Sequence, residues 1–251
     1  VAAAQKYGLE YNDKGYDTDF HKAMTRTGNI QNHYLAFSGG NPQNNYRASF
    51  GYIDHNTIIR TKGYRNLVAK IDVSQKAFHN RLTGDFGVFG SSYKNNDIFD
   101  SQMLFYSADA MNPTYPYEQE NGSWVKNGAA SQVNPPGALL YERNDTKNMN
   151  FNAHLKVTYD ILNRQRENQA SGAFSESLNV SAFGSYSYSS NENNQFCPTW
   201  VWAQGNLYRG EFKSEDWLGN ISLNYQRSWG IHGLKAMVGA EYQKNIRSRF
   251  W

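Results

Sequence analysis

One segment of the chain, residues 148–161, alternates without interruption between apolar and polar side chains. Successive side chains of a β-strand point to opposite faces, so this pattern predicts one two-faced strand of about fourteen residues. Strands of globular proteins usually run about 5–6 residues, whereas a tilted strand that crosses a bilayer needs about 9–11. The length therefore favours a membrane-spanning strand. We expect Phe151, Leu155 and Val157 to face lipid and Asn152, His154 and Lys156 to face the lumen of a barrel.

Seven further segments repeat this alternation, with single exceptions such as Phe183 and Met237. They are 33–39, 45–52, 67–74, 82–88, 178–188, 217–226 and 234–243. Aromatic residues make up 15% of the chain, which argues against disorder. Mean hydropathy is −0.76 and no apolar run approaches the about 18 residues of a membrane helix. The sequence predicts an all-β fold, with about eight antiparallel amphipathic strands of a larger transmembrane β-barrel.

The predicted connections differ in length, as they do in outer-membrane barrels with tight periplasmic turns and long extracellular loops. Short links are predicted at 40–44, 75–81 and 229–233, and longer ones at 54–63, 94–147 and 189–215; the link 162–177 is longer than a tight turn. The polar faces carry charges that suit a wet lumen better than a packed core: Arg47, Lys70, Asp72, Asp85, His154, Lys156, Asp160, Lys235 and Glu241. A soluble β-sandwich, whose strands also alternate, remains the alternative.

The sequence contains no motif or composition that points to several classes of function. The net charge is +3 with scattered basic residues, so no nucleic-acid partner is expected. The single cysteine, Cys197, excludes an internal disulfide and a multi-cysteine zinc site. The six histidines never fall at metal-ligand spacing, and the acidic stretch Glu10, Asp13, Asp17 and Asp19 lacks the spacing of an EF-hand. No G-x-S-x-G motif is present, so we expect no enzyme activity, no cofactor and no metal.

Short motifs in the first 150 residues add a family resemblance. They are Thr18-Asp19-Phe20, Arg26-Thr27-Gly28, Gln31-Asn32-His33, Ser38-Gly39-Gly40-Asn41, the strand Tyr46–Tyr52, Met111-Asn112-Pro113-Thr114-Tyr115-Pro116, Asn134-Pro135 and Asn144-Asp145. In this order and spacing the chain resembles the SusC/RagA group of TonB-dependent outer-membrane transporters of the Bacteroides lineage. Phe20 departs from the tryptophan usual in that group.

The resemblance implies a location, a function and partners. It implies that residues 1–251 are an internal part of a barrel of about 22 strands in the cell outer membrane, with unpaired first and last strands. Residues 1–28, 94–147 and 189–215 would be extracellular loops, and the plug domain that contacts TonB is absent from the sequence. Such a transporter imports nutrients, here oligosaccharides or peptides, with a SusD-like surface lipoprotein. The alternative is a soluble β-sandwich carbohydrate-binding module with exposed aromatic platforms.

Aromatic residues in the long predicted loops are the candidate ligand-binding residues. They are Tyr115, Tyr117, Trp124, Trp200, Trp202 and Tyr208. Flat aromatic rings beside amide side chains suit sugar rings and peptide backbones alike. Trp200 and Trp202 are the preferred pair, because residues two apart share one face of an extended segment. The alternative is that these rings pack the loops together or seat the lipoprotein.

Overall fold

The computed structural model describes residues 13–118, 134–166, 174–199, 201 and 204–251. These residues form one eight-stranded sheet and three short helices. The strands are β1 (Asn29–Gly40), β2 (Asn44–Asn56), β3 (Gly63–Ala77), β4 (Leu82–Asn96), β5 (Arg143–Arg166), β6 (Phe174–Cys197), β7 (Asn206–Trp229) and β8 (His232–Phe250). The helices are α1 (Phe20–Met24), α2 (Ser101–Ala110) and α3 (Pro135–Tyr141).

Each strand pairs antiparallel with the next strand in the chain, in the order β1 to β8. Over their full described lengths, β1 and β8 form no ladder with each other, so the sheet is open. Eight strands could have closed into a narrow barrel. The open sheet instead confirms the predicted all-β, antiparallel part of a larger barrel and its unpaired first and last strands.

The register of the sheet places most apolar residues of neighbouring strands on one face, with exceptions such as Phe183 and Met237. Phe151 is opposite Tyr188, and Tyr186 is opposite Trp217, with ring centroids 4.4 Å apart. Leu155 on this face is 49% exposed rather than enclosed between two sheets. An exposed apolar surface of this extent marks a face that is covered by a partner, and a lipid bilayer would cover it in a barrel. The single open sheet does not favour the β-sandwich, and the predicted lipid-facing orientation of Phe151, Leu155 and Val157 stays a prediction.

The strands are longer than the sequence patterns indicate. Strands β5, β6 and β7 have 24 residues each. Most of 189–215, predicted as a loop, is therefore strand, and only 198–205 connects β6 to β7. The prediction for 162–177 is also wrong in extent, because β5 continues to Arg166 and β6 begins at Phe174. In these extensions, polar side chains on neighbouring strands pair with each other. The strands therefore stay paired beyond the part of the sheet that has one apolar face.

A tight turn closes the β1–β2 hairpin at the Ser38-Gly39-Gly40-Asn41 motif. The Asn41 side-chain oxygen accepts hydrogen bonds from the backbone N–H groups of Gln43 and Asn44, both at 2.9 Å. Gly40 has a φ of +154°, and a Cβ atom there would clash with the backbone oxygen of Asn44, so the motif needs glycine at this position. Within the described ranges, no helix is long and apolar enough to cross a membrane.

Candidate ligand-binding surface

The face of the sheet opposite the apolar residues, here called the polar face, carries a ladder of amide side chains. Asn191 donates to the Asn148 side-chain oxygen, and Asn193 donates to that of Asn191 at 2.8 Å. Thr146 donates to the Asn193 oxygen at 3.0 Å. Each residue pairs across β5 and β6 because the register places Thr146 opposite Asn193 and Asn148 opposite Asn191. The ladder is a fully polar wall with both donors and acceptors.

Polar pairing continues along the same face toward the short turns. The Asn152 amide donates to the Ser187 hydroxyl at 2.6 Å, and the Thr158 and Ser181 hydroxyls are 2.7 Å apart. Asn224 on β7 donates to the Asn179 oxygen at 3.1 Å. These bonds pair the polar side chains with one another from the amide ladder toward the short turns.

The charged residues predicted for the lumen lie on the polar face. Lys70 and Asp72 on β3 form an ion pair of 2.9 Å. The His154 ring lies over Gly87, where an added Cβ would clash with it, and stacks on Phe183 at 6.2 Å. Phe183, the predicted exception to the alternation, therefore shares the polar face with His154 because Lys156 is its register partner.

A hydrophobic cluster lies at the end of the sheet where the longer connections meet, in the part here called the cap (residues 13–28, 57–62, 97–118, 134–142 and 198–205 as far as described). Its buried members are Phe20, Met24, Leu104, Ala108, Met111, Ala138, Leu139, Cys197 and Val201. The described strands contribute only Cys197 to it, at the end of β6. The cap is therefore a small packed unit built from loops, which the strand patterns did not predict.

The family motifs hold this cap together. Asp19 caps α1 by accepting from the Lys22 N–H at 2.8 Å, and the Thr18 hydroxyl donates to the Tyr115 carbonyl at 2.6 Å. Phe20, which stands in place of the usual tryptophan, is 3% exposed. Asn134 caps α3 by accepting from the Gly137 N–H at 3.1 Å. These motif residues are structural, because their side chains pack or bond within the cap.

A buried ion pair joins two parts of the cap. Lys62 Nζ lies 3.3 Å from Glu142 Oε1, and the two side chains are 3% and 5% exposed. Glu142 also accepts from the Phe99 N–H at 3.2 Å. Burial raises the pKa of the Glu142 carboxyl, and the Lys62 ammonium and the Phe99 N–H oppose that rise. No sequence signal pointed to this pair, because its members are distant in the chain.

Of the predicted aromatic residues, Tyr115, Tyr117 and Tyr208 lie in the described part of the chain. Tyr115 packs against the cap cluster. Tyr117 is 46% exposed, and its carbonyl accepts from the Asn134 side chain at 2.7 Å. Tyr208 belongs to β7 rather than to a loop, opposite Gln195, with its ring over Gly210. Tyr208 thus lies on a strand, whereas Tyr115 and Tyr117 lie in the cap. Trp124, Trp200 and Trp202 lie outside the described residues.

A pocket of about 520 Å³ lies beside Tyr117 on the cap. It is lined by Asp17, Asp19, Lys22, Arg60, Pro136 and Leu140, among others. Charged groups of both signs flank an apolar floor, an arrangement that suits an amphipathic ligand. The described residues hold no cluster of three metal-ligating side chains. Of the acidic stretch, Asp13 accepts from the Gly15 N–H at 2.7 Å, and Asp19 is the helix cap.

The chain is similar in sequence to two TonB-dependent receptors. It is 24% identical over 259 residues to the TonB-dependent receptor SusC of Bacteroides thetaiotaomicron, a match covering 93% of this chain and 25% of that protein. It is 23% identical over 256 residues to the TonB-dependent receptor P3 of Formosa agariphila, covering 96% of this chain and 24% of that protein. The chain thus spans about a quarter of the length of these relatives. No protein-family model matches the chain.

Two solved structures also resemble the fold. The RagAB peptide transporter matches with a TM-score of 0.47 at 16% identity, covering 93% of this chain and 27% of that one. The RagAB peptide importer in its closed-closed state matches with a TM-score of 0.45 at 15% identity, with the same coverage. The sequence relatives confirm the motif-based resemblance. Over nearly its whole length the chain is thus similar to a part of SusC/RagA-type TonB-dependent receptors, and its open antiparallel sheet fits a part of an outer-membrane β-barrel.

Proposed function

We propose that this chain forms part of the barrel wall of a transporter that imports oligosaccharides or peptides across the outer membrane. The observation that carries the proposal is the contrast between the two faces of one sheet. The apolar face suits lipid, and the opposite face is lined by paired amides and hydroxyls. A polar wall of this kind serves a hydrated passage rather than a protein core. The proposed role is transport, with no reaction catalysed by this chain.

The orientation of the barrel follows from its connections. The described short turns, 41–43, 78–81 and 230–231, lie at one end of the sheet, and the cap lies at the other. Outer-membrane barrels have short periplasmic turns and long extracellular loops. The cap is accordingly proposed to face the cell exterior, where solute arrives.

The outer surface of the cap supports a surface lipoprotein as partner. On the cap, Ile58, Tyr106 and Leu140 are 63%, 57% and 58% exposed. Apolar and aromatic side chains exposed on a packed unit commonly mark a protein-binding surface. We assign these exposed side chains to contact with a SusD-like lipoprotein, and we assign contact with TonB to the plug region of such transporters.

The proposed ligand contacts are Trp200 and Trp202, with Trp124, Tyr115, Tyr117 and Tyr208 as further candidates. Rigid aromatic anchors cost about 2 kcal/mol or more on truncation, which corresponds to roughly thirtyfold in affinity. Replacing Trp200 and Trp202 with alanine in the full-length transporter should therefore reduce uptake of its solute strongly. Uptake is measured in intact cells with labelled oligosaccharides and labelled peptides in parallel, with and without TonB.

Trp229→Ala is the matched control, because Trp229 lies at the short-turn end of β7. The control should assemble and transport normally. Unchanged uptake in the Trp200/Trp202 variant would contradict the contact, as would failure of that variant to assemble. Uptake that persists without TonB would contradict the transport mechanism itself.

A further inference from the structure

Three basic side chains lie in one row across three neighbouring strands. Arg65 on β3 is the register partner of Lys94 on β4, and Lys94 is the register partner of Lys147 on β5. Because neighbouring strands are about 4.8 Å apart, the three Cα atoms span about 10 Å. Directly opposed residues leave the same face of a sheet, so the three cations form one patch, here called the cation row.

Three carboxylates, Asp54, Asp145 and Glu192, line the same pocket as the three cations of the row. Asp54 Oδ2 lies 3.2 Å from Arg65 Nε and offsets the charge at one end. Glu192 is opposite Lys147, but its carboxylate contacts Arg209 Nη2 at 3.7 Å. Among the described carboxylates, none forms an ion pair with Lys94 or Lys147. Like charges directly opposite each other destabilise a sheet, so the row attracts an anion.

The cation row belongs to the lipid-facing side of the sheet. Two residues further along the same strands lie Leu67, Ser92 and Met149, and side chains two apart share a face. The cation row therefore lies on the same side of the sheet as the apolar face, just beyond the end of that face that is nearest the cap. It also lines a pocket of about 440 Å³. A solute in the lumen would not meet this patch, because the amide ladder is on the opposite face.

We propose that the cation row binds the phosphate groups of an anionic lipid in the outer leaflet of the membrane. Two lysines supply point charges and the arginine supplies paired N–H donors, a combination suited to phosphate oxygens. The position next to the apolar band places acyl chains against Leu67 and Met149 while the phosphate meets the cations. The inference depends on the outward orientation of the cap proposed above, and it is independent of the imported solute.

The test uses the full-length transporter, purified in a non-ionic detergent and titrated with diphosphorylated lipid A during native mass spectrometry. The test variant is K94Q/K147Q. The matched control is K70Q/K156Q, which removes two lysines from the polar face of β3 and β5. Losing two charge-assisted contacts should weaken lipid binding by on the order of tenfold or more. The control should bind as the unaltered protein does.

Each remaining outcome contradicts the proposal. Equal binding by K94Q/K147Q would show that the row does not hold the lipid, and equal binding of the lipid after its phosphates are removed would show that phosphate is not recognised. Displacement of the lipid by millimolar inorganic phosphate would indicate a free-anion site. Folding is checked by the heat-dependent mobility of the barrel on gels. Labelling of a cap cysteine from outside intact cells tests the orientation separately, so its failure is distinguishable from failure of the lipid site.

Discussion

The buried pair Lys62–Glu142 gives the sharpest prediction about the cap. Lys62→Met removes the ammonium 3.3 Å from the Glu142 carboxylate and keeps a side chain of similar length. Both side chains are almost fully buried, so solvent screening is weak. Removing one partner of such a pair typically destabilises a protein by about 3–5 kcal/mol, because the other charge is left buried alone. The cap should therefore open more often.

The expected opening can be measured by proteolysis of the full-length protein in detergent. If Lys62→Met destabilises the closed cap by about 3 kcal/mol, the population of the open cap rises by roughly a hundredfold. When the cap opens and closes faster than the protease cuts, the rate of cleavage is proportional to the open population. Cleavage within 97–142 should accelerate accordingly while the strands remain protected. The double variant K62M/E142Q removes both charges and should recover most of the lost protection.

The pH dependence of K62M follows from the raised pKa of Glu142. A carboxyl whose pKa is higher in the folded than in the unfolded protein stabilises folding most when the pH is below its pKa in the unfolded protein. This stabilisation is lost as the pH rises through its pKa in the folded protein. Lys62 normally opposes the rise, so its removal raises the pKa further. The cap of K62M should be protected at acidic pH and cleaved at neutral pH. Rapid cleavage at both values, or equal protection of K62M and the unaltered protein at neutral pH, would refute this reasoning.

The remaining predictions concern the two faces of the sheet and the helix caps. Leu155→Arg should cost about 2–4 kcal/mol if Leu155 lies near the bilayer midplane, measured by urea unfolding in vesicles; Lys156→Arg on the polar face is the control, and equal costs would contradict the orientation. Gly87→Val should displace the His154 ring, which would appear as a shifted His154 NMR signal, whereas Gly90→Val, with open space around Gly90, should leave that signal unchanged. Asp19→Ala removes the side chain that caps the N-terminus of α1, and this loss should cost the cap unit about 0.5–2 kcal/mol of stability. Backbone amides of α1 should then exchange faster. Unchanged exchange would show that the Asp19 side chain does not stabilise α1.

The strand pattern predicted the faces of the sheet because lipid imposes them. In β5, every second residue from Met149 to Tyr159 must be apolar, and the structure keeps that register. A β-bulge between Asp160 and Leu162 then changes the register, which the uninterrupted alternation through Ile161 did not indicate. The end of β6 was missed because Asn and Ser residues are usual in loops, yet here they pair with side chains of β5.

The cap was less predictable because its stability comes from contacts between distant segments. The helices α1 and α3 have 5 and 7 residues and would be unstable alone. Their motifs were recognised through family resemblance, but the sequence did not show that Asp19 and Asn134 are helix caps. Tyr208 was assigned to a loop because the extension of β7 was not foreseen. The partner of a buried charge such as Lys62 cannot be read from local spacing.

The orientation of β5 is the most direct test of the central claim, that this sheet is a wall between lipid and a hydrated lumen. Single cysteines at successive positions from 149 to 158, in a Cys197→Ser background of the full-length protein, would carry spin labels in reconstituted membranes. Accessibility to oxygen, which concentrates in lipid, should peak at Phe151, Ala153, Leu155 and Val157, and accessibility to a water-soluble relaxation agent should peak at the positions between them. Equal accessibility on both sets, or the opposite alternation, would contradict the account.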